Sequence, residues 1–354
     1  MKRLLAASAL LLLGGCGASA YYWQLAAGHM EVMRLARPIE EVITDASTPA
    51  DLKRRLELAA RARAFASREL GLPDNGSYRK YADLRRPHVV WNVFAAPALS
   101  LELRTQCFPV AGCVIYRGFF AQADADAYAA TLRGQGLDVF VGGVPAYSTL
   151  GWFDDPLLNT FIRHPDLEIA RFLFHELAHQ VVYVRDDTTF NESFAVAVEE
   201  EGLKRWIADH ASAADSERYA AFSERRRSLM RLLLGARRAL AAAYAGGGSE
   251  AARLAGKMAV LDKLRRDYGT LADRWGLAAT ERRAWDEWIM RDLNNAKLGS
   301  IAAYTQRVPQ FAALLHRERG DMSAFFAAAK ALAALPKDER NRRLDALAPP
   351  AEED

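Results

Sequence analysis

The segment that most limits the fold of this 354-residue chain is Phe172-Leu-Phe-His175-Glu176-Leu-Ala-His179-Gln180. On a helix, two histidines four positions apart share a face, so both imidazoles reach a single tetrahedral zinc. Glu176 then sits about 100° round from His175, close enough to address a metal-bound water without binding the metal. The preceding Ile169, Phe172, Leu173 and Phe174 are apolar enough to bury that helix. His164-Pro165-Asp166 gives its start, with proline in the first turn and an acid at the positive end of the dipole. A partly exposed helix with two surface histidines is the plain alternative. The chain has only 7 histidines, however, and two of them fall at this spacing.

Three protein ligands leave a fourth position for water. Glu192, in Phe190-Asn191-Glu192-Ser193-Phe194-Ala195, is the best third ligand. If the first helix ends near Val184, Arg185-Asp186-Asp187 turns the chain, and an antiparallel helix starting near Thr189 returns Glu192 to the metal. Thr189-x-x-Glu192 also reads as a capping box, in which the glutamate only satisfies a backbone N–H. His164, His210 and Glu200 are weaker ligands.

Composition sets the class around this site. The chain is 51% hydrophobic and 26% charged, which excludes a disordered, collagen-like or polytopic membrane chain. A net charge of only +3 argues against nucleic acid as a partner. The N-terminus reads Met1-Lys2-Arg3, an apolar run from Leu4 to Leu13, then Gly14-Gly15-Cys16-Gly17. That is a secretory signal, and it is shorter than the about 20 apolar residues needed to span a bilayer. Leu13-Gly14-Gly15-Cys16 resembles the bacterial lipobox. The resemblance implies removal of 1–15, acylation of Cys16 and, with Gly17 rather than Asp following, anchoring in the outer membrane of a Gram-negative bacterium. The rival is cleavage after Ala18-Ser19-Ala20, which releases a soluble periplasmic protein. Without Lys2 and Arg3, 45 basic residues face 44 acidic ones, so acyl chains rather than charge would hold the mature protein to lipid.

After the signal, the pattern divides into an N-terminal helical region (16–86), a small sheet region (87–160), zinc-site helices with a helical body (161–348) and a tail (349–354). Leu52, Leu56, Leu58 and Ala59 recur at helical spacing, and Gly71-Leu72-Pro73 stops the run. Val89–Phe94, Leu101–Leu103, Val114–Tyr116 and Val139–Val141 are short and β-branched or aromatic, and read as strands around a helical Ala123–Leu132. From Pro165 nearly everything is helical, broken at Gly246-Gly247-Gly248-Ser249. The expected class is α+β and predominantly α-helical, with a small antiparallel sheet packed on the zinc-binding helix and a helical body after it. Export permits Cys107 and Cys113 to form a disulfide across Pro109 and Gly112; two free thiols or a zinc pair are the alternatives.

His175-Glu176-Leu-Ala-His179-Gln180 followed by Asn191-Glu192-Ser-Phe-Ala195 resembles the gluzincin metallopeptidases. Similarity to their aminopeptidase-N-like branch implies Glu192 as third zinc ligand and Glu199, seven residues on, as support for a zinc histidine. Two helical turns put Glu192 and Glu199 on one face. Within Glu199-Glu200-Glu201, Glu199 otherwise reads as a solvated acid. The chain departs from that branch: the gap from His179 to Glu192 is shorter, Ser193 replaces glycine, and the upstream Gly-x-Met-Glu-Asn motif is absent. The chain as a whole is more similar to a bacterial family of exported lipoproteins named as zinc aminopeptidases. That resemblance rests on Cys107-Phe-Pro-Val-Ala-Gly-Cys113 with Tyr116-Arg117-Gly118, on Tyr147-Ser-Thr-Leu-Gly-Trp-Phe-Asp-Asp-Pro156, and on Phe190-Asn-Glu-Ser-Phe-Ala195.

The resemblance implies peptide hydrolysis with one Zn²⁺ per chain and Glu176 as general base, then acid. Tyr183, Tyr147 and Tyr304 are candidates to hold the oxyanion, although a tyrosine more often packs with its OH tethered. Val144 to Phe153 is the expected edge strand for an extended substrate. An aminopeptidase also needs a carboxylate for the substrate ammonium. Asp154, Asp155 or Glu200 can supply it, while Asp155-Pro156 otherwise simply starts a turn. A zinc endopeptidase or amidase acting on cell-envelope material would use the same residues. An envelope lipoprotein with a merely structural zinc is the non-catalytic rival, disfavoured by the intact Glu176 and the lack of a fourth ligand nearby. The Ala-Arg-rich helices from 217 to 275 read as a partner-binding coil or as a solvated bundle face. Nothing in the sequence sets the oligomeric state.

Overall fold

In the computed structural model of the chain, residues 2–108 and 112–347 are described, with side chains from residue 19 onward. The expected tail at 349–354 and the side chain of Cys16 therefore lie outside the described residues. α1 (Lys2–Leu35) is one continuous helix through the N-terminal run and the aromatic residues after it. β1 (Arg37–Pro38) and α2 (Ile39–Thr44) lead to α3 (Ala50–Leu70). α3 buries Leu56, Ala59, Ala62, Ala66 and Leu70, spaced three and four apart as an amphipathic helix requires. Arg63 is buried on the same helix and donates to Ser77 O at 3.0 Å and Pro73 O at 2.7 Å, gathering the loop beyond it.

The sheet region comprises β2 (Lys80–Ala82), β3 (Val90–Pro97), β4 (Gln106–Phe108), β5 (Gly112–Val114), β6 (Arg117–Phe119), α4 (Gln122–Gly134), β7 (Leu137–Val144), β8 (Leu157–Leu158) and the short α5 (Asn159–Ile162). Its main sheet is antiparallel in the order β6-β3-β7, with Val93 opposite Val141 and Arg117. A second sheet runs β1-β2-β8, and its β2–β8 pair is parallel. The β4–β5 hairpin pairs Cys107 with Cys113, and a disulfide joins them, as the export reading expects. Two expected strands are absent or cut short. Leu101–Leu103 is irregular, and Val114–Tyr116 leaves the strand after Val114. Leu103 instead packs side-on against Gly299, where a β-carbon would meet it at 2.9 Å.

The rest is helical: α6 (Asp166–Ala178), α7 (Thr188–His210), α8 (Ala213–Ala245), α9 (Glu250–Arg274), α10 (Ala279–Met290), α11 (Asn295–Thr305), α12 (Val308–Arg317), α13 (Met322–Ala333) and α14 (Lys337–Asp345). The fold is thus α+β and predominantly α. One detail is amended: α4 and α11 cover the main sheet, while α6 packs on α3 and α7. The largest core unites Phe65, Phe174, Phe194, Phe311 and Phe325 from five of these helices. Each aromatic ring buried there contributes about 1.5–3 kcal/mol. At Gly202 on α7 a β-carbon would lie 2.6 Å from Leu70 and 2.9 Å from Phe174, so only glycine lets the three helices approach this closely.

Candidate metal centre

α6 carries His175 and Glu176, and His179 caps its end. The turn into α7 is held by side chains rather than by regular structure. Asn191 Nδ2 donates to Val184 O at 2.8 Å and its Oδ1 accepts from Val184 N at 2.7 Å, gripping both polar groups of one loop residue. Asp187 caps α7 by accepting from Phe190 N at 3.1 Å. Its other oxygen accepts from Arg340 at 2.6 Å in a buried pair. The capping-box reading of Thr189 and Glu192 is therefore displaced, because Asp187 already supplies the cap. α6 ends at Ala178 rather than near Val184, since the chain turns at once through residues 179–187, with Asp186 left-handed at φ 67°.

This geometry brings Glu192 back to the two histidines. His175 Nε2 lies 3.2 Å from His179 Nε2, Glu192 Oε2 lies 3.3 Å from His175 Nε2, and Glu192 Oε2 lies 3.7 Å from His179 Nε2. A tetrahedral zinc with bonds of about 2.0–2.2 Å holds its ligand atoms about 3.3–3.6 Å apart. The sides of the triangle, 3.2, 3.3 and 3.7 Å, lie within about 0.1 Å of that range. Glu192 Oε2 is buried without a hydrogen-bond partner, an atom that costs stability unless a cation or proton meets it. Among the described residues this is the group of three metal-ligating side chains so arranged. His164, His210 and Glu200 stay outside it: His164 lies edge-on to Phe172, His210 stacks on Trp206, and Glu200 is exposed.

Glu199 is fully buried rather than solvated. Its Oε2 faces His175 Nδ1 at 2.8 Å and its Oε1 accepts from Arg171 at 2.9 Å. Burial opposes its charge, but Arg171, the His175 hydrogen bond and Arg226 outweigh it and hold the carboxyl well below the usual range. Arg171 was not legible as a site residue. The only signal was an arginine inside the apolar run Ile169–Phe174, one turn before His175. His179 differs from His175, since its Nδ1 is buried without a hydrogen-bond partner. Glu176 is 8% exposed. Burial, followed by the charge of Glu192, pushes its carboxyl up to about 7 against the pull of His175.

The candidate tyrosines separate. Tyr304, on α11, is raised well above the usual range by burial and then by the charge of Glu192, with Glu176 adding to it. Tyr183 is likewise raised by burial and Glu192. Tyr147 has its OH hydrogen-bonded with His29 Nδ1 at 2.7 Å, and burial followed by the charge of Asp155 raises it. Tyr116, a residue with no role in the sequence pattern, is likewise raised by burial and then by the charge of Glu192.

The expected substrate strand at Val144–Phe153 is a strand only at Val144. Leu150 and Gly151 are both left-handed, at φ 59° and 82°, which no strand allows. The loop closes on itself instead. Asp155 Oδ2 accepts from Thr149 N at 2.8 Å and Thr149 Oγ1 at 2.9 Å, while its Oδ1 is buried without a partner. Burial lifts Asp155 to about 6 against those two bonds, and its charge in turn raises Glu176. Asp154 packs over Gly76, on the exposed side of the loop.

The model of a protein family described as "Putative aminopeptidase" matches residues 20–344. The chain belongs to this family. No curated protein and no solved structure gives a match. The matched span takes in the sheet, both helices of the triad and the helical body, and the family's name points to peptidase activity.

Proposed function

We propose that the protein is a zinc-dependent aminopeptidase, and the observation that carries this is the triangle of His175, His179 and Glu192 with Glu176 buried beside it. Zinc held by these ligands, when bound, supplies Lewis acidity that acidifies water and polarises a carbonyl. The remaining tasks fall to the chain itself. Glu199 accepts the His175 Nδ1 proton, which directs Nε2 into the triad, and Arg171 keeps Glu199 charged for that purpose. Glu176 takes a proton from the attacking water on its carboxylate and passes it to the leaving amine. The Tyr304 or Tyr183 hydroxyl donates to the developing oxyanion. Asp155 supports an N-terminal specificity. It is a buried carboxylate with one unpartnered oxygen and no cation among the groups that shift it, and a substrate ammonium would complete it.

The test compares a short peptide bearing a free N-terminus with its acetylated twin, using zinc-loaded protein. Cleavage of the free peptide alone, one residue at a time, is expected. Equal cleavage of both, or cuts confined to the interior, would replace this reading with a zinc endopeptidase acting on envelope material.

Export as a lipoprotein anchored at Cys16 in the outer membrane and facing the periplasm is part of the same proposal. It is supported by the lipobox-like Leu13-Gly14-Gly15-Cys16. Among the described residues no helix is long and apolar enough to cross a membrane.

A further inference from the structure

From Gly17 to Met30 the chain contains no Asp, Glu, Lys or Arg. That would be unremarkable in a buried helix, but α1 is only half buried. Its inner face is docked on the main sheet: Tyr21 OH donates to Gly118 O at 3.1 Å, and Gln24 Oε1 accepts from Phe120 N at 3.1 Å. At Gly28 a β-carbon would lie 2.1 Å from Phe120. The outer arc is therefore fixed relative to the body, and it presents Tyr22, Trp23, Ala26, Ala27 and Met30, with Trp23 75% and Met30 70% exposed. By contrast, the exposed positions of α3 include Asp51, Arg54, Glu57, Arg61, Arg68 and Glu69, the usual character of a face that meets water. The uncharged arc continues onto the neighbouring loop. Phe153 sits 4.6 Å from the His29 ring and is 51% exposed, and Trp152 beside it is 73% exposed.

We propose that this arc of α1, with Trp152 and Phe153, lies on a lipid bilayer, so that α1 is an interfacial helix rather than a free-standing stalk. The chain's own continuity argues for lipid over a protein partner. On the export reading the mature chain starts at Cys16, so the uncharged stretch begins beside the acylated residue and runs to Met30 without an Asp, Glu, Lys or Arg. Trp and Tyr favour the headgroup level, where one end of the ring is apolar and the other wet. At 1.5 Å per residue, Met30 stands about 21 Å along the helix from Cys16. The headgroup zone is only about 5–8 Å deep on each side. Cys16 and Met30 therefore share it only if α1 lies within about 15–20° of the membrane plane. A flat α1 also brings the loop that carries Asp155 to the membrane and fixes the candidate site near its surface. The inference rests on the export reading, which puts an acylated Cys16 at the head of the arc.

The test uses the whole processed chain, purified from membranes and placed in phosphatidylethanolamine–phosphatidylglycerol vesicles, with or without acyl-brominated phosphatidylcholine. Brominated lipid should quench tryptophan emission. Trp23→Phe should remove about half of the quenched intensity and Trp152→Phe most of the remainder, because these two tryptophans are the most exposed, at 75% and 73%. Trp206→Phe, which alters a residue that is 3% exposed, should leave the quenched intensity unchanged. Quenching that is identical in wild type and Trp23→Phe overturns the proposal. So does a Trp23 signal that varies with protein-to-lipid ratio, which assigns the face to a second copy of the chain. The mass of the N-terminal peptide reads the anchor separately: no acyl group with Trp23 still quenched defeats the lipoprotein reading alone, and an acyl group with Trp23 unquenched defeats the interfacial helix alone.

Discussion

Glu199→Gln offers the sharpest probe of how the site is held. The glutamate is 0% exposed and divides its oxygens between His175 at 2.8 Å and Arg171 at 2.9 Å. The amide keeps the shape but removes the charge. Two consequences follow, with separate readouts. Loss of an outer hydrogen-bond partner typically weakens metal binding 10–100-fold, or about 1.4–2.7 kcal/mol. Breaking a buried ion pair by removing one partner costs about 3–5 kcal/mol. Here the lower end is expected, about 3 kcal/mol, because Glu168 stays 2.8 Å from Arg171 and the amide oxygen still accepts from it. Zinc affinity is read by competition with a chromophoric chelator, and stability by urea unfolding of the metal-free protein, so that metal linkage does not mix the two. An unchanged zinc affinity alongside reduced stability would refute the positioning role and leave Glu199 a structural acid. Complete loss of zinc would refute it differently, by making Glu199 a ligand.

Glu176→Gln should keep full zinc occupancy and lose about 10²–10⁴ in peptide hydrolysis, and a metal-loaded variant with wild-type turnover would remove Glu176 from the chemistry. Burial raises Asp155 to about 6, so in the folded chain it stays protonated at pH values where the unfolded chain has lost the proton. Its contribution favours the fold at low pH and falls away as pH rises from about 4 to about 6, by about 2–3 kcal/mol. Urea midpoints across that window should therefore decline less steeply in Asp155→Asn than in wild type; parallel declines would show that Asp155 is not the group responsible. Gly202→Ala should destabilise by about 1–3 kcal/mol by forcing Leu70 and Phe174 apart, and a thermal midpoint equal to wild type would show that α3, α6 and α7 can relax around a methyl group.

What the chain determines locally was readable from its letters. The helix of α6 follows from the apolar spacing around His175 and His179, and two turns of α7 place Glu192 and Glu199 on one face whatever surrounds them. The pairing of Cys107 with Cys113 needed only a short turn. The tertiary structure decided the rest, and each case involves partners far apart in sequence. Arg171 became part of the site because α7 returns antiparallel and sets Glu199 against it. Tyr147 OH is tied to His29 because α1 brings that ring to it, while α11 sets Tyr304 within the field of Glu192 and Glu176. Asp187 took the capping role assigned to Thr189 and Glu192, since Arg340 on α14 neutralises it there. Helical periodicity depends on neighbours three and four residues away and so is written in any short stretch. Which side chain meets a buried glutamate depends on how whole helices pack, and no local pattern encodes that.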